Sequence, residues 1–198
     1  FEDTNKDGVI NGSDTRTPGA LGLVIEDVNV GVALMKPTAT SDQSSYFALK
    51  VTAAQVALVG VDDLTLEARD IAVEVNKGSN PAAQPGAAVP VVDFSKFAGG
   101  KLDVPTGSGT VSLDYSGQLL RAVVGRATFA YGQYVYLSGS FAFEKGAAQT
   151  VTLSDGSTKE VNVTKIGAGH VNVFVGTGGP YFEDTNKDGV INGSDTRT

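Results

Sequence analysis

The chain begins and ends with the same seventeen residues. FEDTNKDGVINGSDTRT occupies residues 1–17 and recurs unchanged at residues 182–198, a separation of 181 residues (182 minus 1). An identical segment at a fixed separation is typical of a tandem array, although solenoid repeats have shorter periods of roughly 20–50 residues. The sequence therefore divides into a junction loop over residues 1–17, a module over residues 18–181, and a second junction loop over residues 182–198.

The composition excludes several classes of function. The 198 residues suit one domain and carry a net charge of −7, which argues against a nucleic-acid partner because phosphate binding requires clustered Lys and Arg. The chain has no Cys, which excludes disulfides and thiolate metal sites. No apolar run approaches the roughly 20 residues that cross a bilayer, so we expect no membrane insertion.

Alternating apolar and small or polar residues indicate an all-β chain. The period of two is that of half-buried strands, and the low charged fraction of 19% with 25 glycines favours strands and turns over helices. The candidate strands are residues 21–35, 46–59, 64–75, 111–115, 119–131, 134–143, 150–153 and 159–175. We predict an antiparallel sheet of long, bent strands forming a sandwich or roll, with a β-solenoid as the alternative.

Phase slips within the longest runs predict the bends. Apolar positions at Leu64, Leu66 and Ala68 give way to a set of the other parity after residue 70, and the run 119–131 behaves similarly around Gly125; one extra residue in a strand produces such a slip. Short turns, of which 154–157 has the strongest hairpin signal, predict antiparallel neighbours. Residues 76–109, rich in Pro, Gly and Ala, read as an ordered surface excursion.

The repeated segment has the ligand spacing of a calcium loop. Counted from Asp3, oxygen-bearing side chains fall at positions 1, 3, 5, 9 and 12, with Gly8 at position 6 and a backbone carbonyl at position 7. The predicted ligands in the first copy are Asp3, Asn5, Asp7, Val9 through its carbonyl, Asn11 and Asp14. The predicted ligands in the second copy are Asp184, Asn186, Asp188, Val190 through its carbonyl, Asn192 and Asp195.

The segment resembles EF-hand loops and, more closely, the calcium loops of bacterial dockerin repeats. It departs from them because Asp14 replaces the Glu common at position 12 of EF-hands, and Pro18 follows where an exiting helix should run. The paired second loop of a dockerin is also missing, so the resemblance implies Ca²⁺ binding and not recognition of a cohesin partner. The alternative is a metal-free turn, since Asp, Asn and Gly favour turns by themselves.

No motif for catalysis stands out, and we expect the protein not to be an enzyme. His170 is the only histidine, and it lacks the hydrolytic signatures that would give it a catalytic role. Tyr131, Tyr134 and Tyr136 cluster at one predicted hairpin, where cross-strand packing and an aromatic sugar platform are the alternatives.

The whole period resembles the extender repeats of giant bacterial surface proteins exported by type I secretion, the RTX adhesins. The resemblance rests on tandem organisation, acidity and the absence of Cys. It implies an extracellular or cell-surface spacer that folds when it meets calcium and whose partners are neighbouring repeats of the same chain. The competing hypothesis is a repeated ligand-binding module for a carbohydrate or another surface, displayed for avidity.

Overall fold

Strands dominate the architecture. The computed structural model describes residues 2–8, 10, 14, 17–84, 87–186 and 194–197. Its strands are Gly22–Glu26 (β1), Asn29–Met35 (β2), Ser45–Val59 (β3), Leu64–Ser79 (β4), Leu102–Pro105 (β5), Thr110–Leu113 (β6), Leu119–Tyr131 (β7), Val135–Gly146 (β8), Gln149–Thr152 (β9), Thr158–Val161 (β10), Thr164–Val175 (β11), Phe182–Glu183 (β12) and Thr196–Arg197 (β13). The helical elements in these ranges are two 3₁₀ turns at Phe94–Lys96 and Ala98–Gly100. None of the helices described there could span a membrane.

One antiparallel sheet forms the body of the module. Its strands lie in the order β1-β3-β4-β7-β8-β11, and β2 pairs with β3 beside β1. β1 pairs with the C-terminal part of β3, and β2 pairs with its N-terminal part. Together β1 and β2 therefore occupy one edge of the sheet, with an interruption near Asp27. The predicted all-β, antiparallel fold is confirmed. The solenoid alternative is wrong for the described strands, since every pair in them is antiparallel.

The predicted turns and phase slips are also present. Tight turns join β3 to β4 at Asp63 and β7 to β8 at Gly132, and the 154–157 hairpin joins β9 to β10. Asp27, Asp70 and His170 have positive φ angles of 49°, 52° and 50°, and the β7–β8 register shifts between residues 124 and 127. These irregularities fall in one row across the sheet and bend it.

The bend keeps the apolar side chains on one face. Arg69 and Asp70 are adjacent in β4, yet both line the same cleft, so the alternation of sides is interrupted between them. Apolar positions change parity at the same place, from 64, 66 and 68 to 71, 73 and 75. An extra residue that swaps faces explains both observations.

The other face, hereafter the covered face, carries the buried core. Residues 80–118 leave the sheet after β4, form the 3₁₀ turns and the β5–β6 hairpin, and return to β7. Phe94 and Leu113 from this segment are fully buried against small residues of β2 and β3, and Tyr115 packs beside them. Residues 76–109 were predicted to be a surface excursion; instead, 76–79 end β4 and Phe94, with the residues around it, belongs to a second layer of the fold.

Small residues on the sheet allow this close packing. A Cβ on Gly31 of β2 would stand 2.7 Å from Cγ1 of Val111, inside van der Waals contact. Asn76 of β4 is fully buried and donates from Nδ2 to the carbonyls of Val92 (2.9 Å) and Gly117 (2.8 Å). The amide therefore ties both ends of the covering segment to the sheet.

Charged side chains form a ladder across the covered face. Glu74 of β4 accepts from Arg121 of β7 at 3.0 Å and lies 3.6 Å from Lys50 of β3. Lys165 of β11 donates to Glu144 of β8 at 2.7 Å, and this hydrogen bond lowers the pKa of the Glu144 carboxyl. Signs alternate from strand to strand, as favourable cross-strand pairing requires.

The opposite face, hereafter the apolar face, is left open by the described residues. Large apolar side chains from every strand of the sheet except β3 remain exposed there. They are Leu23, Ile25, Val30, Val32, Leu34, Leu66, Leu120, Phe129, Tyr131, Phe141, Ile166, Val173 and Val175.

Candidate calcium loops at the chain ends

The first loop is folded by hydrogen bonds to its own acidic and amide side chains. Gly8 at position 6 has φ 83°, a conformation that glycine adopts without strain. Its N–H donates to Oδ2 of Asp3 at position 1, at 2.9 Å. The N–H of Asp7 donates to Oδ1 of Asn5 at 3.1 Å. The turn predicted from Gly8 thus points the position 1 carboxylate into the loop.

A bond from position 2 to position 12 closes the same loop. The N–H of Thr4 donates to Oδ1 of Asp14 at 3.1 Å. This contact brings the last predicted ligand back beside the first, as a loop that surrounds a cation from both ends requires. Asp3, Asn5, Asp7 and Asp14 therefore belong to one folded turn in the described part of the loop.

The second carboxylate oxygen of Asp3 is the observation that turn chemistry alone does not explain. Oδ1 of Asp3 is buried and makes no hydrogen bond in the described structure. A buried, unsatisfied anionic oxygen costs free energy of roughly 1–3 kcal/mol or more. A hard cation inside the loop would satisfy it, because Ca²⁺ takes carboxylate oxygens as ligands.

The second loop repeats the closing bond. The N–H of Thr185 donates to Oδ1 of Asp195 at 3.2 Å, the counterpart of the Thr4–Asp14 bond. Two short strands, β12 and β13, pair across the base of this loop. Identical sequence therefore gives the same closure in both copies.

Aromatic packing fixes the second loop to the sheet. Tyr181 stacks on Phe174 of β11 with ring centroids 6.5 Å apart and meets Phe182 edge-on at 5.0 Å. The N–H of Gly179 donates to the carbonyl of Gln133 in the β7–β8 turn at 2.9 Å. The chain thus enters this loop from a rigid platform at one end of the sheet.

An ion pair anchors the first ligand position of the second loop. Nη1 of Arg126, on β7, donates to Oδ2 of Asp184 at 2.5 Å, and the two side chains are 21% and 9% exposed. Burial by itself lowers the pKa of Arg126, but hydrogen bonds with Asp184 and Tyr136 outweigh it and the net pKa is raised. The two identical loops therefore differ in what surrounds position 1.

Sequence reasoning missed this pair. Arg126 and Asp184 lie 58 residues apart, and no spacing rule joins an arginine at a strand bend to a distant loop. The only signal in the sequence is the phase slip beside Gly125, which turns the side chain of Arg126 to the covered face.

Part of the predicted ligand set lies outside the described residues. These positions are Val9, Asn11, Asp188, Val190 and Asn192. Asn186 is described and exposed. Within the described positions there is no group of three or more His, Cys, Asp or Glu side chains that could hold a metal, so calcium binding by the complete loops stays a prediction.

The other candidate residues are separated in the fold. Tyr136 is buried on the covered face and bonded to Arg126, whereas Tyr131 lies exposed on the apolar face. Tyr136 therefore does not share one exposed platform with Tyr131. His170 occupies the bend of β11, where its carbonyl accepts from Asn172 at 2.9 Å, a local structural role.

No family model, curated protein or solved structure matches the chain.

Proposed function

We propose that the protein is a structural repeat of a larger extracellular or surface-attached bacterial protein, and that Ca²⁺ bound at the seventeen-residue loops stiffens the junctions between its modules. The single observation that carries the proposal is the buried Oδ1 of Asp3, which makes no hydrogen bond while Oδ2 accepts from the N–H of Gly8. A cation supplies the missing partner. The expected ligands are the twelve residues named from the sequence.

Electrostatics gives the loop its metal dependence. Three carboxylates, those of Asp3, Asp7 and Asp14, belong to one short turn, and they would repel one another if they were drawn together with no cation present. A dication removes that repulsion and joins the two ends of the loop through its own ligands. We expect an affinity in the sensor or extracellular range of roughly 10⁻⁷ to 10⁻³ M.

Stiffening follows from where the loops are attached. The second loop leaves a platform built by Phe174 and Tyr181, and the first loop leads into Ala20 and Leu21, whose backbone lies against Gly60 at the end of β3. In an array, one seventeen-residue segment ends one module and begins the next. A metal that fixes this segment therefore fixes the angle between two sheets, and the array becomes a rod.

Small-angle scattering on a two-period chain tests the proposal. Such a chain contains residues 18–181 twice and the seventeen-residue segment three times. We expect the maximum dimension to be larger in millimolar Ca²⁺ than with a chelator, because the flexible junction lets the modules fold back on each other.

A matched variant isolates the middle junction. Asparagine replaces the aspartates corresponding to Asp184 and Asp195 in the middle segment alone, which leaves the outer loops unchanged. This variant should keep the shorter dimension in both conditions. Equal dimensions of the unsubstituted chain with and without Ca²⁺ would overturn the spacer mechanism.

A further inference from the structure

The apolar face is too large to remain open to water. Thirteen large apolar side chains are exposed on it, and each would hide on the order of 60–120 Å² if buried. Together they present on the order of 1,000 Å². The largest apolar patch on an ordinary monomer is about 300–600 Å², so this face has the extent of an interface.

The side chains on this face are arranged as the inner layer of a β-sandwich. One row of paired residues runs across β1, β3, β4, β7, β8 and β11 without a polar residue. Its members are Leu23, Leu58, Leu66, Phe129, Leu137 and Val173. Such rows interdigitate with a second sheet about 10 Å away. A flat apolar row is poorly suited to a single peptide, which would cover only part of its width.

The covering layer does not come from the described parts of this chain. Residues between 92 and 115 pack on the covered face, and the described residues of the second loop meet that face through Arg126. The available surface on one copy is about that required of each partner in a stable complex, roughly 800 Å². This step rests on the proposed function: with copies of the module in series along each chain, two chains side by side present many copies of the face to each other at high effective concentration.

We propose that the apolar face docks against the apolar face of a second copy of this module, so that two sheets form one sandwich. The contact is isologous, because the same surface meets itself about a two-fold axis. We expect it to be independent of the metal, since Asp184 of the second loop pairs with Arg126 on the covered face. In an array it would pair modules of neighbouring chains, because the junctions hold successive modules of one chain apart.

Sedimentation equilibrium on the single-period chain tests the docking. Leu66, 52% exposed, and Ile166, 82% exposed, probe the two halves of the face. Leu66→Lys and Ile166→Lys each place a charge in the proposed contact. Thr65→Lys is the matched control, because Thr65 is the exposed neighbour of Leu66 on the opposite side of β4.

We expect a dimer of twice 20.3 kDa at roughly 50 µM protein, with or without chelator, and at least a tenfold weaker dimer for both face variants. Thr65→Lys should dimerise as the unsubstituted chain does. Circular dichroism melts establish that each variant folds; Ile166 is so exposed that lysine there costs the isolated module little. Should one variant fail to fold, the other decides the test.

Three results would overturn the docking. One is a chain that stays monomeric at about 200 µM, including a monomer that instead binds phosphatidylcholine vesicles through this face. Another is association that both lysine variants leave unchanged. The third is open-ended assembly without a dimer, which would point to the sheet edges. Loss of calcium binding would leave the dimer intact, so this test and that of the spacer mechanism fail independently.

Discussion

Replacing Arg126 by methionine removes the cationic partner of Asp184. The carboxylate then stays in a position where only 9% of its side chain is exposed. Breaking a fully buried ion pair in this way costs about 3–5 kcal/mol. Because the arginine is 21% exposed, solvent screens part of the effect, and we expect a loss of about 2 kcal/mol in the free energy of unfolding without metal.

The buried Asp184 charge that has lost Arg126, not the lost arginine packing, should account for most of this loss. Asp184→Asn removes the charge with little change in shape, so the double variant should be more stable than the sum of the two single losses predicts. We expect a coupling free energy of about 1.5 kcal/mol. For a chain of this size, a loss of 2 kcal/mol lowers Tm by about 4–8 °C.

Calcium should reduce the cost of losing Arg126. A dication at the second loop balances the Asp184 charge in place of the arginine, so the destabilisation in Ca²⁺ should fall to about half its value in chelator. The destabilisation in chelator thus exceeds that in Ca²⁺ by about 1 kcal/mol. By linkage, the second loop of Arg126→Met should bind Ca²⁺ about fivefold more tightly than that of the unsubstituted chain.

Urea unfolding and calorimetry of the four chains, each with chelator and with millimolar Ca²⁺, measure these quantities. A cost below about 0.5 kcal/mol for Arg126→Met, together with no coupling to Asp184→Asn, would refute the anchoring of the second loop by this pair. A cost that calcium leaves unchanged would refute the competition between arginine and metal.

Three further perturbations test the covering layer. Phe94→Ala empties a fully buried ring site and should cost about 3–5 kcal/mol by urea unfolding; a cost under 1 kcal/mol would mean that residues 80–118 are not core. Gly31→Ala forces a Cβ to 2.7 Å from Val111 and should lower the free energy of unfolding by about 1–3 kcal/mol. The control is Gly167→Ala, whose Cβ would have nothing within 4 Å and should leave the stability unchanged or raise it. Equal effects of the two substitutions would contradict the close approach at Gly31. Burial, and after it the nearby carboxylates, raises the pKa of the Tyr115 hydroxyl. Folding therefore favours the neutral form of Tyr115. The stability that this gives is fully present below the unfolded-state pKa of about 10 and is lost as the pH rises above it. Tyr115→Phe should flatten that alkaline loss in melts at pH 9 to 12, and an unchanged slope would show that Tyr115 does not cause it.

Local patterns in the sequence predicted the strands well. The alternation of Val and aromatic residues located the long strands, and the parity change near Asp70 located the bend, because both are properties of neighbouring residues. The run 159–175 was wrong in one respect: it contains two elements, β10 and β11, that pair with different partners. Only pairing distinguishes a strand break from a continuous run.

Long-range organisation was beyond the sequence. The role of residues 80–118 depends on Phe94, Leu113 and Tyr115 meeting Ala33 and Ala48 across the chain. Phe94 stands in no periodic run, and the alternation of residues 111–115 does not show which surface Leu113 and Tyr115 pack against. The candidate loops show the same division. The Gly8 turn follows from spacing, whereas the ion pair that distinguishes the second loop from the first depends on the folded sheet.

Calorimetric titration of the single-period chain with Ca²⁺ tests the central claim, that each seventeen-residue segment holds one calcium ion, most directly. We predict saturable binding of two ions per chain at or below millimolar Ca²⁺, with Asp3→Asn and Asp184→Asn each removing one. No binding up to about 10 mM, or a stoichiometry that these substitutions leave unchanged, would contradict it.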